Sequence, residues 1–477
     1  SHGRRSDLEQ AWGRHGKHHW SAWQCWTAKY IIDPLKKQLE ALEYIGLSYL
    51  TLNRVTTTLS GGEAQRLKLI RHLNSSLSDL VYIIDEPSVG LHPEDIAKIN
   101  EILKSLKDKG NTVLIVEHDP DVIKEGDYII DMGPGSGKNG GEITFEGTYN
   151  ELLSSNTSTG NALRNKHNLK ENIREANHFY NIGPVTQNNL NNVKTSIPKH
   201  VLTVLTGVAG SGKSTLVKAG FENNDHTIFI DQKAVQGSNR SNLLTYLGVF
   251  DSVRSYFSKE TGLNKAMFSY NSKGACPNCG GKGYIKTELA FMGDFSQTCE
   301  VCHGKRYKQE VLDATIDGYS IADVLNLTVD EGIIFFDKKN DIKSKLQSVS
   351  KTGLNYMSLG QPLSTLSGGE IQRVKLGQHL DEEIKNSIFI FDEPTTGLHE
   401  SDIPILMECF DDLIDQNNTV ILIEHNLSIM CEADWIIDVG PGPGLDGGKV
   451  QFSGTPKNFI DSSETLTSKH LKRYIKQ

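Results

Sequence analysis

The string LSGGEAQRLKLIRHL begins at residue 59, and LSGGEIQRVKLGQHL begins at residue 366. Three further anchors keep the same spacing: Asp85 with Asp392, His118 with His425 and Asp131 with Asp438, each pair 307 residues apart. A module repeated at a fixed offset decides the architecture before any local propensity does. In each copy LSGGE opens an amphipathic stretch. An apolar run ending in an acid pair follows (VYIIDEP, 81–87; IFIFDEP, 388–394), then one ending in Glu-His (VLIVEHD, 113–119; VILIEHN, 420–426). Short continuous apolar runs alternating with helical patterns read as a buried parallel sheet, so the predicted class is α/β with two related lobes.

The phosphate-binding pattern does not repeat. GVAGSGKST (207–215) occurs once, after the apolar run VLTVLT and before a helical stretch. In that context Gly207, Gly210 and Gly212 let backbone N–H groups turn toward phosphate oxygens, Lys213 brings a cation to the β and γ phosphates, and Ser214 with Thr215 lies at the Mg²⁺. Asp392 and Glu393, at the end of a strand, suit a metal-holding carboxylate followed by one that orients water. Asp85 and Glu86 repeat the pair. Ser60 and Ser367 are placed to cap the helices after them, and the paired glycines leave room for a phosphate at a helix N-terminus. One nucleotide does not need two such grips from one lobe. The economical geometry is head to tail, with Ser60, Gly61, Gly62 and Glu63 closing over the phosphate loop of the second copy. His118 and His425 would then reach a γ-phosphate.

CPNCGGKGYIKTELAFMGDFSQTCEVCHGKRY (276–307) holds two C-x2-C pairs separated by 19 residues. Cys276, Cys279, Cys299 and Cys302 therefore form a candidate structural zinc site, with a disulfide pair as the alternative. The formal charge is -9, yet residues 233–308 carry eleven Lys or Arg against five Asp or Glu. This basic stretch in an acidic chain marks a candidate nucleic-acid surface, with Lys282, Lys286, Lys305 and Arg306 as its favoured contacts. No apolar run approaches the roughly 18 residues of a membrane span. Residues 1–27 hold four of the five tryptophans without a period and are left as an unassigned leader. The polar stretch 154–178 is expected to be a linker between a first lobe at 28–153 and a second at 179–477.

The phosphate loop, LSGGE, the D-E strand end and the later His together resemble the ABC ATPases. NNLNNVKTSIPKHVLTVLTGVAGSGKSTL (188–216), IDQKAVQGSNRSNLLTYLGVFDSVR (230–254), DEPTTGLH and DVGPGPGLDGG (438–448) narrow the resemblance to the UvrA family of DNA-damage-recognition ATPases. The resemblance implies two ABC-type lobes, the second interrupted at 233–365 by a helical, zinc-containing, DNA-contacting signature region. It also implies that Gln232 is the Q-loop glutamine, and that ATP, Mg²⁺ and Zn²⁺ are the cofactors. Family members carry a phosphate loop in each half, so the single GKST implies an N-terminally incomplete copy. The wording GACPNCGGKGYIKTELAFMGDF resembles short members associated with drug resistance. The implied function is ATP-dependent binding of damaged or drug-modified double-stranded DNA, in excision repair or drug resistance, in the cytoplasm. The UvrB-binding insertion has no counterpart here, so no UvrB-type partner is expected, while a homodimer is. The alternatives are a soluble exporter ATPase, disfavoured by the zinc module and long insertion, and a catalytically silent binding protein.

Overall fold

The computed structural model describes residues 22–56, 61–73, 77–135, 137–165, 168–233, 241–289, 293–382 and 384–476. Packing divides the chain into one unit of residues 1–82 with 101–113 and a second of 83–100 with 114–477.

The smaller unit holds helices α1 (Ala22–Tyr44) and α2 (Gly61–Leu73). Its buried side chains include Ile45, Leu47, Leu69, Ile70, Leu103 and Leu106. Polar ties add direction: Tyr49 Oη donates to Glu63 Oε1 at 2.7 Å, and Arg66 Nη1 donates to the Ile45 carbonyl at 3.4 Å.

The rest of the first repeat consists of β1 (Val81–Asp85), α3 (Pro93–Asp108), β2 (Thr112–Val116), β3 (Ile129–Gly133) and β4 (Glu142–Gly147). β1 pairs with β2 and β3 with β4, as two separate two-stranded sheets. The stretch expected as a linker contains helix α4 (Ser158–Arg164), whose first turn is capped by Thr157 Oγ1 accepting from Gly160 N–H at 3.1 Å. Farther along, Lys170 lies 3.3 Å from Asp434, and Arg174 lies 2.8 Å from Asp411 and 3.4 Å from Asp434. A cap and ion pairs, not an apolar stripe, hold this segment, which is why hydrophobic periodicity does not reveal it.

The second repeat opens with the hairpin β5 (Phe179–Gln187) and β6 (Leu190–Pro198), then β7 (Leu202–Thr206), helix α5 (Lys213–Phe221) and β8 (Thr227–Ile230). An insertion follows, with α6 (Phe250–Thr261), the hairpin β9 (Tyr284–Leu289) and β10 (Gly293–Thr298), and α7 (Asn340–Val349), around a core of Phe257, Phe268, Tyr270, Tyr307 and Phe336. The chain returns through α8 (Gly368–Leu380), β11 (Ile388–Asp392), α9 (Ile403–Asp415), β12 (Thr419–Ile423), β13 (Trp435–Gly440), β14 (Lys449–Gly454) and α10 (Leu466–Lys476). The six-stranded sheet runs β14-β13-β7-β12-β11-β8, parallel except for β14. Its phosphate loop leaves the central strand β7, a standard position for a ligand site in an open α/β sheet.

The apolar runs earn their burial on two faces. Phe389, Phe391, Val420 and Leu422 meet α9 through Leu406 and Phe410. The alternate residues Ile388, Ile390, Ile421 and Ile423 meet Leu216 and Phe221 of α5 and Ile197 of β6. Each fully buried side chain of this kind contributes about 1.5–3 kcal/mol. The first repeat covers only one face. Ile83, Leu114, Val116, Ile130 and Met132 are 75%, 51%, 52%, 54% and 60% exposed, whereas their counterparts Ile390, Ile421, Ile423, Ile437 and Val439 are at most 2% exposed. Among the described residues, the first repeat has no equivalent of the β5–β6 hairpin, β7 and α5 that cover this face in the second.

Candidate functional site

The phosphate loop is shaped by what lies beneath it. Gly212 precedes α5 at φ +103°, and the loop is pinned from the side by N–H groups of the 440–448 turn: Gly444 N–H donates to the Gly210 carbonyl at 3.0 Å, and Gly448 N–H to that of Ser211 at 2.9 Å. Asn188 Nδ2 donates to Thr215 Oγ1 at 3.2 Å. Lys213 is buried and donates to the carbonyls of Gly207 (2.8 Å) and Val208 (3.0 Å). Burial pulls its pKa down to about 8, against the opposing charges of Glu393, Asp392 and Asp438.

Asp392 closes β11. Ser214 Oγ donates to its Oδ1 at 3.5 Å, and Lys218 lies 3.9 Å from its Oδ2. Burial raises the Asp392 pKa, and Lys218 and Lys213 oppose that shift. Ser214 and Asp392 are the hydroxyl and carboxylate that would hold a Mg²⁺ shell. Glu393 follows at φ +52°, and its counterpart Glu86 at φ +44°; each anchors its N–H to the next strand, at Ile423 (2.9 Å) and Val116 (2.8 Å). A left-handed conformation at a non-glycine residue costs energy, and here it recurs at the second acid of both strand-end pairs.

Gln232 Nε2 donates to the Glu393 carbonyl at 3.1 Å and to Thr396 Oγ1 at 3.0 Å. The LSGGE helix α8 is locked to its own lobe. Ser367 and Glu370 form a reciprocal capping box at 3.2 and 2.8 Å, and Gln372 Nε2 donates to the carbonyls of Ile230 (2.9 Å) and Asp392 (3.2 Å). In the first copy Glu63 is placed by Tyr49, Gly61 and Gly62 begin α2, and Ser60 lies outside the described residues.

Glu424 fixes the approach of His425. Its Oε2 accepts from His425 N–H at 2.6 Å, and its Oε1 accepts from Thr395 N–H at 3.0 Å. Glu117 does the same for His118 (2.7 Å) and Ser88 (2.8 Å). His118 Nε2 in turn stands 3.7 Å from Glu86. A cavity of about 170 Å³ is lined from both repeats, with Glu86, Gly90 and His118 facing Glu393, Thr396 and His425.

The four cysteines Cys276, Cys279, Cys299 and Cys302 are buried with their Sγ atoms all within 4.8 Å of one another. The pairs Cys276–Cys299 and Cys279–Cys302 stand 4.0 and 3.7 Å apart. A tetrahedral zinc with bonds of about 2.3 Å requires sulfur separations of about 3.8 Å, whereas a disulfide requires about 2.05 Å. Cys302 N–H and the Asn278 amide pull the Cys299 thiol down to about 6, while burial pushes Cys302 up to about 12. Such a set holds four negative charges only with a cation among them, and it fits zinc.

A family model described as ABC transporter matches residues 190–396. UvrABC system protein A of Aquifex aeolicus (strain VF5) is 42% identical over 488 residues, covering 94% of this chain and 53% of that protein. The protein of the same description from Bacillus subtilis (strain 168) is 42% identical over 485 residues, covering 94% and 51%. The crystal structure of UvrA2 from Deinococcus radiodurans matches with a TM-score of 0.90 at 39% identity, over 95% of this chain and 59% of that one. The chain belongs to the UvrA family. It spans about half the length of the curated relatives it matches.

Within this UvrA-family chain the basic candidates differ in setting. Lys282 is exposed, and Lys286 is exposed on β9. Lys305 lies 3.5 Å from Asp323, and Arg306 lies over the Tyr270 ring, 5.3 Å from its centroid. Of the nearby aromatic residues, Phe257, Tyr270 and Tyr307 are core, and Tyr284 is exposed. The sequence motifs assign no role to Glu117 and Glu424, the anchors, or to His92 and His399, although both pairs keep the 307-residue offset that marks them.

Proposed function

We propose that this UvrA-family chain binds and hydrolyses ATP at the Lys213 phosphate loop and couples that cycle to binding double-stranded DNA that is damaged or carries a drug, in nucleotide excision repair or drug resistance. The observation that carries the reading is the convergence of Lys213, Ser214, Gln232, Asp392 and Glu393 on one loop, with Gly90 of the first repeat packed against Glu393. Lys213 would bind the β and γ phosphates, and Ser214 with Asp392 would hold Mg²⁺. Glu393 would orient the attacking water, with Gln232 and His425 at the γ-phosphate. Ser60 to Glu63 would supply the grip from the other lobe. The cysteine module and the basic 233–308 segment support DNA as the partner. A second copy of the chain and a cytoplasmic setting belong to the same reading. Among the described residues no helix is long and apolar enough to cross a membrane.

The test is ATP turnover by the full chain with and without damaged duplex. Lys213→Ala should abolish nucleotide binding. Glu393→Gln should bind ATP and stop turnover. Ser60→Arg should also bind and fail to hydrolyse, whereas Ser367→Arg should matter little. The opposite ranking of the two serine variants would mean that two chains pair through their second repeats.

A further inference from the structure

Below the phosphate loop a hydrogen-bonded chain crosses from one repeat to the other. Glu94 N–H donates to Nδ1 of His92 at 3.2 Å, which leaves the ring proton on Nε2. That nitrogen stands 3.0 Å from Thr467 Oγ1 on α10, and the Thr467 hydroxyl donates to Asp438 Oδ1 at 3.3 Å. Asp438 is the floor of the loop: a β-carbon on Gly207 would lie 3.1 Å from its Oδ1 and 2.0 Å from the Val439 carbonyl. His92 is fully buried, and its ring meets that of His425 edge to face at 6.0 Å between centroids.

The same chain occurs a second time. Ser401 N–H donates to His399 Nδ1 at 3.2 Å, His399 Nε2 stands 3.0 Å from Thr159 Oγ1, and Thr159 donates to Asp131 Oδ1 at 2.7 Å. His399 meets His118 at 6.3 Å between centroids. The histidines and aspartates are 307 residues apart, but the threonines are 308 apart and sit on helices of different length, α4 and α10. Two settings that differ in local structure rebuild one connection, which packing alone does not require.

We propose that His92 is a positioning residue for the Lys213 site, joining the first repeat through Thr467 and Asp438 to the floor of the phosphate loop, so that it governs turnover and not nucleotide affinity. The proposal rests on the ATPase reading above. Within it, the turn after Glu86 in one repeat holds the nucleotide support of the other. Closure of the two repeats and alignment of the loop then become one event. Burial and the nearby Lys213 charge hold the His92 pKa down to about 3, so the ring stays neutral and its donor and acceptor roles stay fixed.

Steady-state ATP turnover and equilibrium binding of Mg-ATP should be measured on the full chain for wild type, His92→Ala, Thr467→Val, the double variant and Thr467→Ser. Each of the first two single changes should lower kcat roughly tenfold with Kd within about twofold, the size expected for one buried hydrogen bond. The double variant should be no slower than the slower single, since both cuts break one connection. Thr467→Ser, which keeps the hydroxyl, should restore turnover. Lys469→Ala, on the same helix and beside Glu464 in solvent, should leave it unchanged. Additive losses in the double variant, or no rescue by serine, would overturn the proposal. If wild type binds Mg-ATP without turning it over, the hydrolysis reading fails, and the connection is judged on amide hydrogen exchange of the 207–213 loop with Mg-ATP bound. Faster exchange there in His92→Ala and Thr467→Val at unchanged Kd supports it, and unchanged exchange sinks it.

Discussion

A β-carbon placed on Gly90 would lie 2.7 Å from Oε2 of Glu393. Gly90 has φ +67° and belongs to the first repeat, while Glu393 is the second acid of the second. The reciprocal pair is looser, with a β-carbon on Gly397 at 3.4 Å from Glu86 Oε1. The tighter contact is therefore at the carboxylate that shares its lobe with the phosphate loop.

Gly90→Ala should displace Glu393 and strain the left-handed turn. The expected result is a fall in ATP turnover of about tenfold or more with nucleotide binding retained, and a smaller fall for Gly397→Ala. Turnover and Kd measured side by side separate this from general unfolding. Equal losses in the two variants would show that the 2.7 Å contact is not what sets the rate.

Purified, reduced protein should carry one zinc per chain, and Cys276→Ser with Cys299→Ser should remove it. Cys409 and Cys431 are buried outside the cluster, so changing either should leave the metal content alone. Because a closed four-thiolate site contributes folding free energy, chelation should expose the core around Tyr270 and Tyr307 and lower Tm. Metal analysis near zero in the starting material would remove the basis for this reading.

Phosphate contacts release counterions, so DNA affinity should fall steeply with salt. Replacing Lys282, Lys286, Lys305 and Arg306 by Ala should flatten the slope of log K against log salt by up to about one per lost contact. Lys305 and Arg306 are engaged with Asp323 and Tyr270, so exposed Lys282 should account for more of the change than either. Titrations at several salt concentrations check this, and an unchanged slope places the DNA surface elsewhere.

The contribution of His92 to stability should fall as pH is lowered from about 6.5, while Asp119, pushed up to about 7 by burial, acts in the opposite direction. His92 has a pKa of about 3 in the fold against about 6.5 in an unfolded chain, so over that window the unfolded state binds a proton that the folded state refuses. The contribution is fully present above pH 6.5 and is lost progressively toward pH 3, by at most about 1.4 kcal/mol per pH unit. Thermal melts at pH 7, 6 and 5 should therefore show the Tm of His92→Gln gaining on that of wild type as pH falls, whatever the absolute Tm of the variant.

Much of the site was legible because its chemistry is written in short strings. The glycines around Lys213, the acids after β11 and the paired C-x2-C sets each need particular residue types at fixed spacing. What stayed hidden was pairing between distant strings. Nothing near Gly90 announces Glu393, and the threonines that complete the two histidine chains miss the 307-residue register by one. The helix α4 escapes a periodicity reading because the Thr157 cap and the ties of Thr159 to Asp131 and His399 need no apolar period. The apolar runs of β1 and β2 read as strands covered on both faces, but a run of that kind records what a strand can bury, not whether the covering elements are at hand.

The uncovered face of the first repeat also bears on how the protein behaves in a tube. Among the described residues β2 and β3 each pair on one side only, and beside those open edges lie Ile83, Leu114, Val116, Ile130 and Met132. Open strand edges flanked by apolar side chains invite edge-to-edge association. The amides of β2 and β3 should also take up deuterium well before those of β7 and β12, whose edges are paired on both sides.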